Sequence, residues 1–287
     1  MLNVRNRRLR NLCLALILPF VVVSCGESQE EKMAKEMLAQ ATVCFNEGQY
    51  EQALEIVDTI PVMFPKQIKV RKAALDLKPA IIELATDQAI NQCEQDIEKI
   101  QQEFLSAREK MQRIENPELV EGYWLPSALK GSGFMSTTGI QPRVNDDGSF
   151  NIISEVNNAG NLHHSSFSLR ASNGDEAVSG SVPFDNELNY RINNSETVTY
   201  AEEKVDTVGK FAMSHYGEKM QLTFHGEAGK SKSVTLSGNE VSAIADAYNM
   251  ATLQKKGKKL VAQKQLLERK LELARQQKLR NRTDLNK

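Results

Sequence analysis

The residues with the clearest chemical meaning stand at the N-terminus, where Cys25 follows a short apolar segment. That segment runs from Leu12 to Val23, and Ser24 separates it from the cysteine. The residues before it are basic: Arg5, Arg7, Arg8 and Arg10. The segment is too short to cross a bilayer as a stable helix, and a basic start with a small residue at the end is typical of a secretory signal. The sequence therefore predicts export of the chain, with cleavage next to Cys25.

The residues around the predicted cleavage point resemble the lipobox of bacterial lipoproteins. Val22 is the bulky residue three before Cys25, Ser24 is the small residue just before it, and Gly26 follows. The resemblance implies cleavage between Ser24 and Cys25, diacylation of the Cys25 sulfur and acylation of its amine. Two or three acyl chains, at about 0.8 kcal/mol per buried methylene, anchor a protein firmly. An ordinary secretory signal with a coincidental cysteine, and an uncleaved membrane anchor, remain open as alternatives.

The same resemblance implies a location at the outer membrane of a Gram-negative bacterium, on its periplasmic side or at the cell surface. Gly26, where an aspartate would retain the protein at the inner membrane in the enterobacterial scheme, is consistent with outer-membrane sorting. Gln29-Glu30-Glu31 resembles the export signal of some Bacteroidetes lipoproteins, although glutamates near a helix start are also favoured by the helix dipole. The leaflet is left open.

Charge and cysteine content exclude some classes of protein. The formal net charge is −1, and loss of the four signal arginines lowers it to −5, which excludes a general nucleic-acid binder. After cleavage, Cys44 and Cys93 are the remaining thiols. A periplasmic location would permit a disulfide, but both residues fall at apolar helical positions, and we expect them to be core residues.

The sequence contains no motif for catalysis or metal binding, and we expect no enzyme, no metal and no cofactor. Four histidines are present: His163, His164, His215 and His225. Their spacing matches no zinc motif, and we expect them in surface strands or loops. Asp146-Asp147-Gly148 lacks the alternating ligands of a calcium loop and predicts a turn. No nucleophile motif accompanies the serines.

Tyr123 and Trp124 are the residues most suited to contact a partner or ligand. They lie beside Gly122 and Pro126, where a helical region gives way to a β-rich one. A tryptophan with a neighbouring tyrosine can stack on a sugar ring. Anchoring of the domain junction in the core is the alternative.

Residues 33–85 have a helical pattern, and about residues 34–78 of this region resemble a tetratricopeptide repeat. The order A-x3-F-x2-G-x-Y-x2-A-L is given by Ala41, Phe45, Gly48, Tyr50, Ala53 and Leu54, with Pro65 twelve residues after Ala53. Gly48 permits a tight turn between two helices, and Pro65 ends the second. We expect a further helix over about 66–77, bent or broken at Pro79. Because a free-standing stack needs about three repeats, the hairpin must pack against another part of the protein.

Residues 86–121 predict a long helix with an unbroken heptad seam. Its apolar residues recur three and four apart: Ile90, Cys93, Ile97, Ile100, Phe104, Ala107, Met111 and Ile114. A second long helix is predicted over 238–287, with Asn239 as its N-cap. Residues 87–121 contain nine acids and four bases, whereas 254–282 contain eleven bases and two acids. Opposite charges favour an antiparallel coiled coil within one chain; separate solvated helices, a basic helix facing lipid headgroups, and pairing between two chains are the alternatives.

Between these helices, residues 122–237 predict a mostly antiparallel β domain. Asp147-Gly148 and Asn173-Gly174 are turn signals, and alternating apolar residues mark strands around them. Val205, Val208 and Ala212 predict one short helix over 202–213. Six to eight strands fit a small sandwich or an open barrel.

Together these patterns predict an α+β protein with six segments. In chain order they are the signal peptide (1–24), the acylated cysteine with a flexible tether (25–32), the tetratricopeptide-like region (33–85), the acidic coiled-coil helix (86–121), the β domain (122–237) and the basic coiled-coil helix (238–287). The leading functional hypothesis is a lipid-anchored, non-catalytic scaffold with a protein partner in the cell envelope. The alternative is a glycan- or surface-ligand-binding lipoprotein that acts through its β domain.

Overall fold

The computed structural model describes residues 28–115, 122–129, 137–183 and 185–285. Its helices are α1 (Gln29–Asn46), α2 (Tyr50–Met63), α3 (Ile68–Glu109), α4 (Asp206–Ser214) and α5 (Gly238–Leu285). Its strands are β1 (Met111–Ile114), β2 (Tyr123–Pro126), β3 (Gly139–Asn145), β4 (Phe150–Val156), β5 (Ser166–Arg170), β6 (Glu176–Val178), β7 (Asn189–Ile192), β8 (Ser195–Ala201), β9 (Met220–His225) and β10 (Ser231–Leu236). The fold is α+β, which confirms the predicted class.

The chain divides into two compact units, a helical unit up to Thr86 and from Leu271 onward, and a second unit over Asp87–Lys270. In the helical unit, α1 and α2 form the predicted hairpin, and Gly48 takes the left-handed conformation (φ +75°) that its turn requires. The helices pack through a core that is rich in small residues: Ala34, Ala41, Cys44, Ala53, Val57 and Ile60. Helix α1 begins at Gln29, so the last four residues of the predicted tether are helical.

Helix α3 is continuous through Pro79, where a break or bend was predicted. A proline removes one backbone hydrogen bond and costs about 3 kcal/mol in a helix interior. Apolar residues are buried on both sides of it, Ala74 before and Ile81 after, and their packing offsets that cost.

Within each unit, α3 and α5 pack against each other in opposite directions, as the charge pattern predicted. In the helical unit, Glu83 pairs with Arg275 (3.3 Å) and Lys278 (2.6 Å). In the second unit, Glu94 pairs with Lys264 (2.7 Å), and the Cys93 thiol donates to the Leu260 carbonyl (3.3 Å). The predicted core role of Cys44 and Cys93 is confirmed, since both side chains are buried.

The β domain has two antiparallel sheets, with strand orders β1-β2-β3-β4-β8-β7 and β10-β9-β5-β6. Their inner faces share one core with the first half of α5, and the rings of Phe167 and Tyr200 meet across it at 5.0 Å. Both predicted turns are present, with Gly148 (φ +87°) and Gly174 (φ +94°) in left-handed conformations. The predicted short helix is α4, preceded by a 3₁₀ turn.

Two further helix boundaries differ from the sequence prediction. The acidic helix ends at Glu109, and Met111–Ile114, predicted as the end of its seam, form β1 instead. Pairing with β2 satisfies the backbone there and buries Met111 in the core of the β domain. At α5, Ser237 rather than Asn239 is the N-cap: the Ser237 N–H donates to the Glu240 carboxylate (2.7 Å), and the Glu240 N–H donates to the Ser237 hydroxyl (3.3 Å).

Candidate interaction surfaces

The predicted cleavage and lipidation residues, Ser24 and Cys25, lie outside the described residues. The described chain begins at Ser28, whose side chain accepts a hydrogen bond from the Glu31 N–H (3.1 Å) and caps α1. The first described residue is therefore three positions after Cys25 in the sequence.

Tyr123 and Trp124 lie on β2 but do not form a shared aromatic platform. They are adjacent in an extended strand and point to opposite faces of the sheet. Trp124 packs against the core of the β domain, and the Arg108 guanidinium lies 4.9 Å from its ring centre. The Arg143 guanidinium lies 4.3 Å from the ring centre of Tyr123. Each ring already contacts an arginine, and the position of Trp124 agrees with the alternative of core anchoring.

A buried polar network that the sequence did not suggest joins Ser154, His164 and Glu196. The Ser154 hydroxyl lies 2.7 Å from His164 Nε2, and His164 Nδ1 lies 3.1 Å from Glu196 Oε2. All three side chains are 0% exposed. The connectivity is that of a serine–histidine–carboxylate triad, but no substrate can reach a hydroxyl that is completely covered.

The network instead fixes the loop that leads into β5. Glu196 accepts the backbone N–H groups of His163 (2.9 Å) and His164 (3.0 Å), and His163 has a left-handed backbone (φ +48°). Burial raises the pKa of Glu196, but these N–H donors and the His164 ring outweigh it and lower that pKa overall. Burial lowers the pKa of His164, which favours the neutral ring. The prediction of surface histidines is thus wrong for His164, because loop residues that pair with a buried carboxylate carry no local sequence signal.

An open cleft of about 340 Å³ lies between the β domain and the first half of α5. It is lined by Phe150, Glu202, Glu203, Asp206, Thr207, Tyr248, Ala251, Thr252 and Lys255. The Tyr248 hydroxyl donates to Asp206 (2.6 Å), and Lys255 pairs with Glu202 (2.9 Å). Burial, with the nearby Asp206 carboxylate, raises the pKa of Tyr248 to about 12. Carboxylates beside an aromatic ring suit a ligand with hydroxyl or amino groups.

Strand β7 forms one edge of the six-stranded sheet, and no other described strand pairs with its outer side. Leu188, Tyr190 and Ile192 alternate along this edge and are 43%, 44% and 61% exposed. Alternate residues of a strand share one face, so Tyr190 and Ile192 lie on the same face of β7, and Leu188 comes directly before the strand. We call these three exposed side chains the apolar strip; they lie along the outer edge of the sheet. Such an edge is a template on which an extended segment of another chain can pair.

Within the described ranges, no three histidine, cysteine, aspartate or glutamate side chains come close enough to hold a metal ion. No helix of the described chain has an apolar stretch long enough to cross a membrane. No protein-family model matches this sequence, and neither a curated protein nor a solved structure matches it.

Proposed function

We propose that this chain is a lipid-anchored protein of the cell envelope that acts as a non-catalytic scaffold for another envelope protein. The observation that carries the proposal is the short spacing between the lipobox and the fold. Two residues, Gly26 and Glu27, separate Cys25 from the helix cap Ser28, which is the third residue after the cysteine. Three extended residues span at most about 10 Å, so an acylated Cys25 would hold the helical unit directly at the bilayer surface.

The outer membrane is the proposed location. Gly26 directly after the cysteine supports this sorting. The Gln29-Glu30-Glu31 segment would act as an export signal. It forms the first turn of α1, where the carboxylates of Glu30 and Glu31 also interact favourably with the helix dipole.

The proposed contact for the protein partner is the edge of β7. The partner would add an extended segment beside Asn189–Ile192 and cover the apolar strip of Leu188, Tyr190 and Ile192. Main-chain hydrogen bonds would supply affinity, and the strip would select apolar side chains at alternate positions.

Labelling and crosslinking in one preparation test both parts of the proposal. The full-length protein, expressed with its own signal in a Bacteroides host, is labelled with a clickable palmitate analogue. We expect label in the wild type and in Cys93→Ala, which removes a buried thiol, and none in Cys25→Ala. A photoreactive residue in place of Ile192 should then capture a recurrent envelope protein, whereas the same residue at the exposed Lys219 should not.

Two results would contradict the proposal. Label that persists in Cys25→Ala, or is absent from the wild type, would remove the lipid anchor. Equal capture from positions 192 and 219 would remove the β7 edge as the partner contact.

A second candidate function is glycan or surface-ligand binding through the β domain, and the cleft beside Tyr248 favours it. Its carboxylates can accept hydrogen bonds from sugar hydroxyls, and the edges of the largely buried Phe150 and Tyr248 rings line it. Under this alternative, Asp206→Asn would abolish binding to a glycan array that the wild-type protein recognises.

A further inference from the structure

The turn between α2 and α3 carries the two most exposed large apolar side chains among the described residues of the helical unit, Val62 and Ile68, with Met63 beside them. Val62 is 78% exposed, Ile68 is 74% exposed and Met63 is 59% exposed. We call residues 62–68 the apolar turn. Single exposed apolar residues are common on protein surfaces, but three within one turn form a patch.

The apolar turn has a defined conformation. Phe64 is buried in the helical core, and its N–H donates to the Ile60 carbonyl (3.0 Å). The Gln67 N–H donates to the Phe64 carbonyl (3.1 Å), and the Arg71 guanidinium donates to the Pro65 carbonyl (2.7 Å). These contacts hold the inward residue in the core, so its apolar neighbours are held outward in solvent.

The surroundings of the apolar turn are basic. Between Pro61 and Leu75 the sequence contains four basic residues, Lys66, Lys69, Arg71 and Lys72, and no acid. The three lysines are exposed, and the ion pairs found among the described residues include none of them. Exposed apolar side chains that neighbour lysines without ion pairs in the described chain are complementary to an anionic lipid surface.

The apolar turn lies at the same end of the hairpin as the start of α1. Helices α1 and α2 have 18 and 14 residues and run antiparallel across a three-residue turn. At about 1.5 Å per residue they are about 27 Å and about 21 Å long, so the end of α2 is about one helical turn short of the start of α1. The last part of α5 runs toward this end too, since Lys278 pairs with Glu83 and Asn281 with Asp76 of α3.

We propose that the apolar turn and Lys66, Lys69 and Lys72 form a membrane-docking surface that inserts Val62, Met63 and Ile68 into an anionic lipid leaflet. Two observations select a bilayer as the occupant: the lysines without acidic partners among the described residues, and the exposed apolar residues near them. The start of α1 at the same end adds support that rests on the proposed lipid anchor at Cys25. The identity of the leaflet rests on the proposed lipid anchor. The docking itself does not, because it uses described residues alone.

The docking is tested by measuring vesicle binding of the chain from Gly26 onward. This chain lacks the lipid and retains every described residue. The vesicles contain phosphatidylcholine with phosphatidylglycerol, or phosphatidylcholine alone. Wild-type protein should float with the mixed vesicles and bind the neutral ones at least tenfold more weakly, since each lysine near an anionic surface contributes roughly fivefold.

Two variants should each lose at least tenfold in binding to the mixed vesicles. One carries Val62→Ser, Met63→Ser and Ile68→Ser, and the other carries Lys66→Gln, Lys69→Gln and Lys72→Gln. Val43→Ser is the matched apolar control, because Val43 is 53% exposed near the opposite end of the hairpin. Lys256→Gln, Lys259→Gln and Lys270→Gln together remove the same charge from α5. Both controls should bind as the wild type does, and circular dichroism checks that all variants are folded.

Three outcomes would overturn the docking surface. They are wild-type protein that ignores the mixed vesicles, serine variants that bind as tightly as the wild type, and a wild-type dimer that the serine substitutions convert to a monomer. The last would make the apolar turn a contact between two copies. If the chain from Gly26 onward does not bind vesicles while palmitate labels Cys25 of the full-length protein, the docking surface is wrong and the lipid anchor stands. If the chain binds vesicles but Cys25 is not labelled, the anchor alone is wrong.

Discussion

At the scale of single residues, the buried Ser154–His164–Glu196 network is the strongest polar feature of the β domain. A neutral His164 donates from Nδ1 to Glu196 and accepts at Nε2 from the Ser154 hydroxyl. Both ring nitrogens are then satisfied without charge on the ring. Protonation would leave Nε2 facing the serine hydroxyl as a donor and would place a charged ring in the core.

We predict that His164 makes the stability of the β domain depend on pH below neutrality. Its pKa is lowered in the folded state by burial, while the unfolded chain has the ordinary value of about 6.5. The unfolded state therefore binds more protons below about pH 6.5, and the free energy of unfolding falls as the pH drops toward the folded pKa. Urea unfolding between about pH 7.5 and 5 measures this fall.

The matched variants are His164→Gln and His225→Gln. His225 is also in the β domain, where its ring contacts the Ser168 hydroxyl (2.9 Å). We expect His164→Gln to lower the stability at neutral pH and to flatten the dependence between about pH 6.5 and 5, and His225→Gln to retain that dependence. If the stability of His164→Gln falls as steeply with decreasing pH as that of the wild type, groups other than His164 cause the pH dependence.

The sequence could not predict this network, and the reason is physical. His164 lies ten residues after Ser154 and 32 residues before Glu196. The pairing of β4 with β8 brings Ser154 and Glu196 together, and the loop before β5 adds His164 to them. Tyr123 and Trp124 were identifiable as aromatic residues at a junction. The arginines that contact their rings come from α3 and β3, and no local pattern pointed to them.

At the scale of helices and strands, periodicity predicted the packed faces well and the ends poorly. The seam positions Cys93, Ile100 and Ala107 are buried as predicted. The spacing continues to Ile114, but α3 stops at Glu109, because pairing with β2 gives β1 backbone partners that a helical repeat does not reveal. Gly48 and Gly148 marked their turns correctly, since each adopts a conformation that other residues reach only with strain.

Two helical glycines provide a test of how α4 and α5 pack. A Cβ atom on Gly209 would lie 2.1 Å from the Tyr248 ring, whereas one on Gly257 would lie 3.6 Å from Ile100. We predict that Gly209→Ala lowers the free energy of unfolding by about 2–3 kcal/mol, because the clash in a packed core exceeds the gain in helix propensity. Gly257→Ala should raise it by about 0.5–1 kcal/mol.

Chemical denaturation of the two variants beside the wild type measures both effects. A loss at Gly257 as large as that at Gly209 would contradict the packing described for α5. A stabilised Gly209→Ala variant would mean that the Tyr248 ring does not lie against α4.

At the scale of the whole molecule, the proposed lipid on Cys25 would anchor one end of the chain, and the β7 edge and the apolar turn are the proposed contact surfaces. The opposite charges of α3 and α5 predicted their pairing correctly, and Glu83 and Glu94 contact basic residues of α5 in the two units. Surface ion pairs contribute about 0–1 kcal/mol each, so charge selects the partner helix while apolar burial supplies the stability. The exposure of the apolar turn and of the β7 edge could not be predicted from the sequence, because it depends on which side chains the rest of the fold covers.

The proposed lipid on Cys25 can be measured through the mass of the mature N-terminal peptide. Trypsin cleavage after Lys32 of protein purified from native membranes releases a peptide that ends at this residue. We predict a peptide that begins at Cys25 and carries a diacylglyceryl group on the sulfur with a further acyl chain on the amine. A peptide that begins at another residue, an unmodified Cys25, or an intact signal segment would contradict the account.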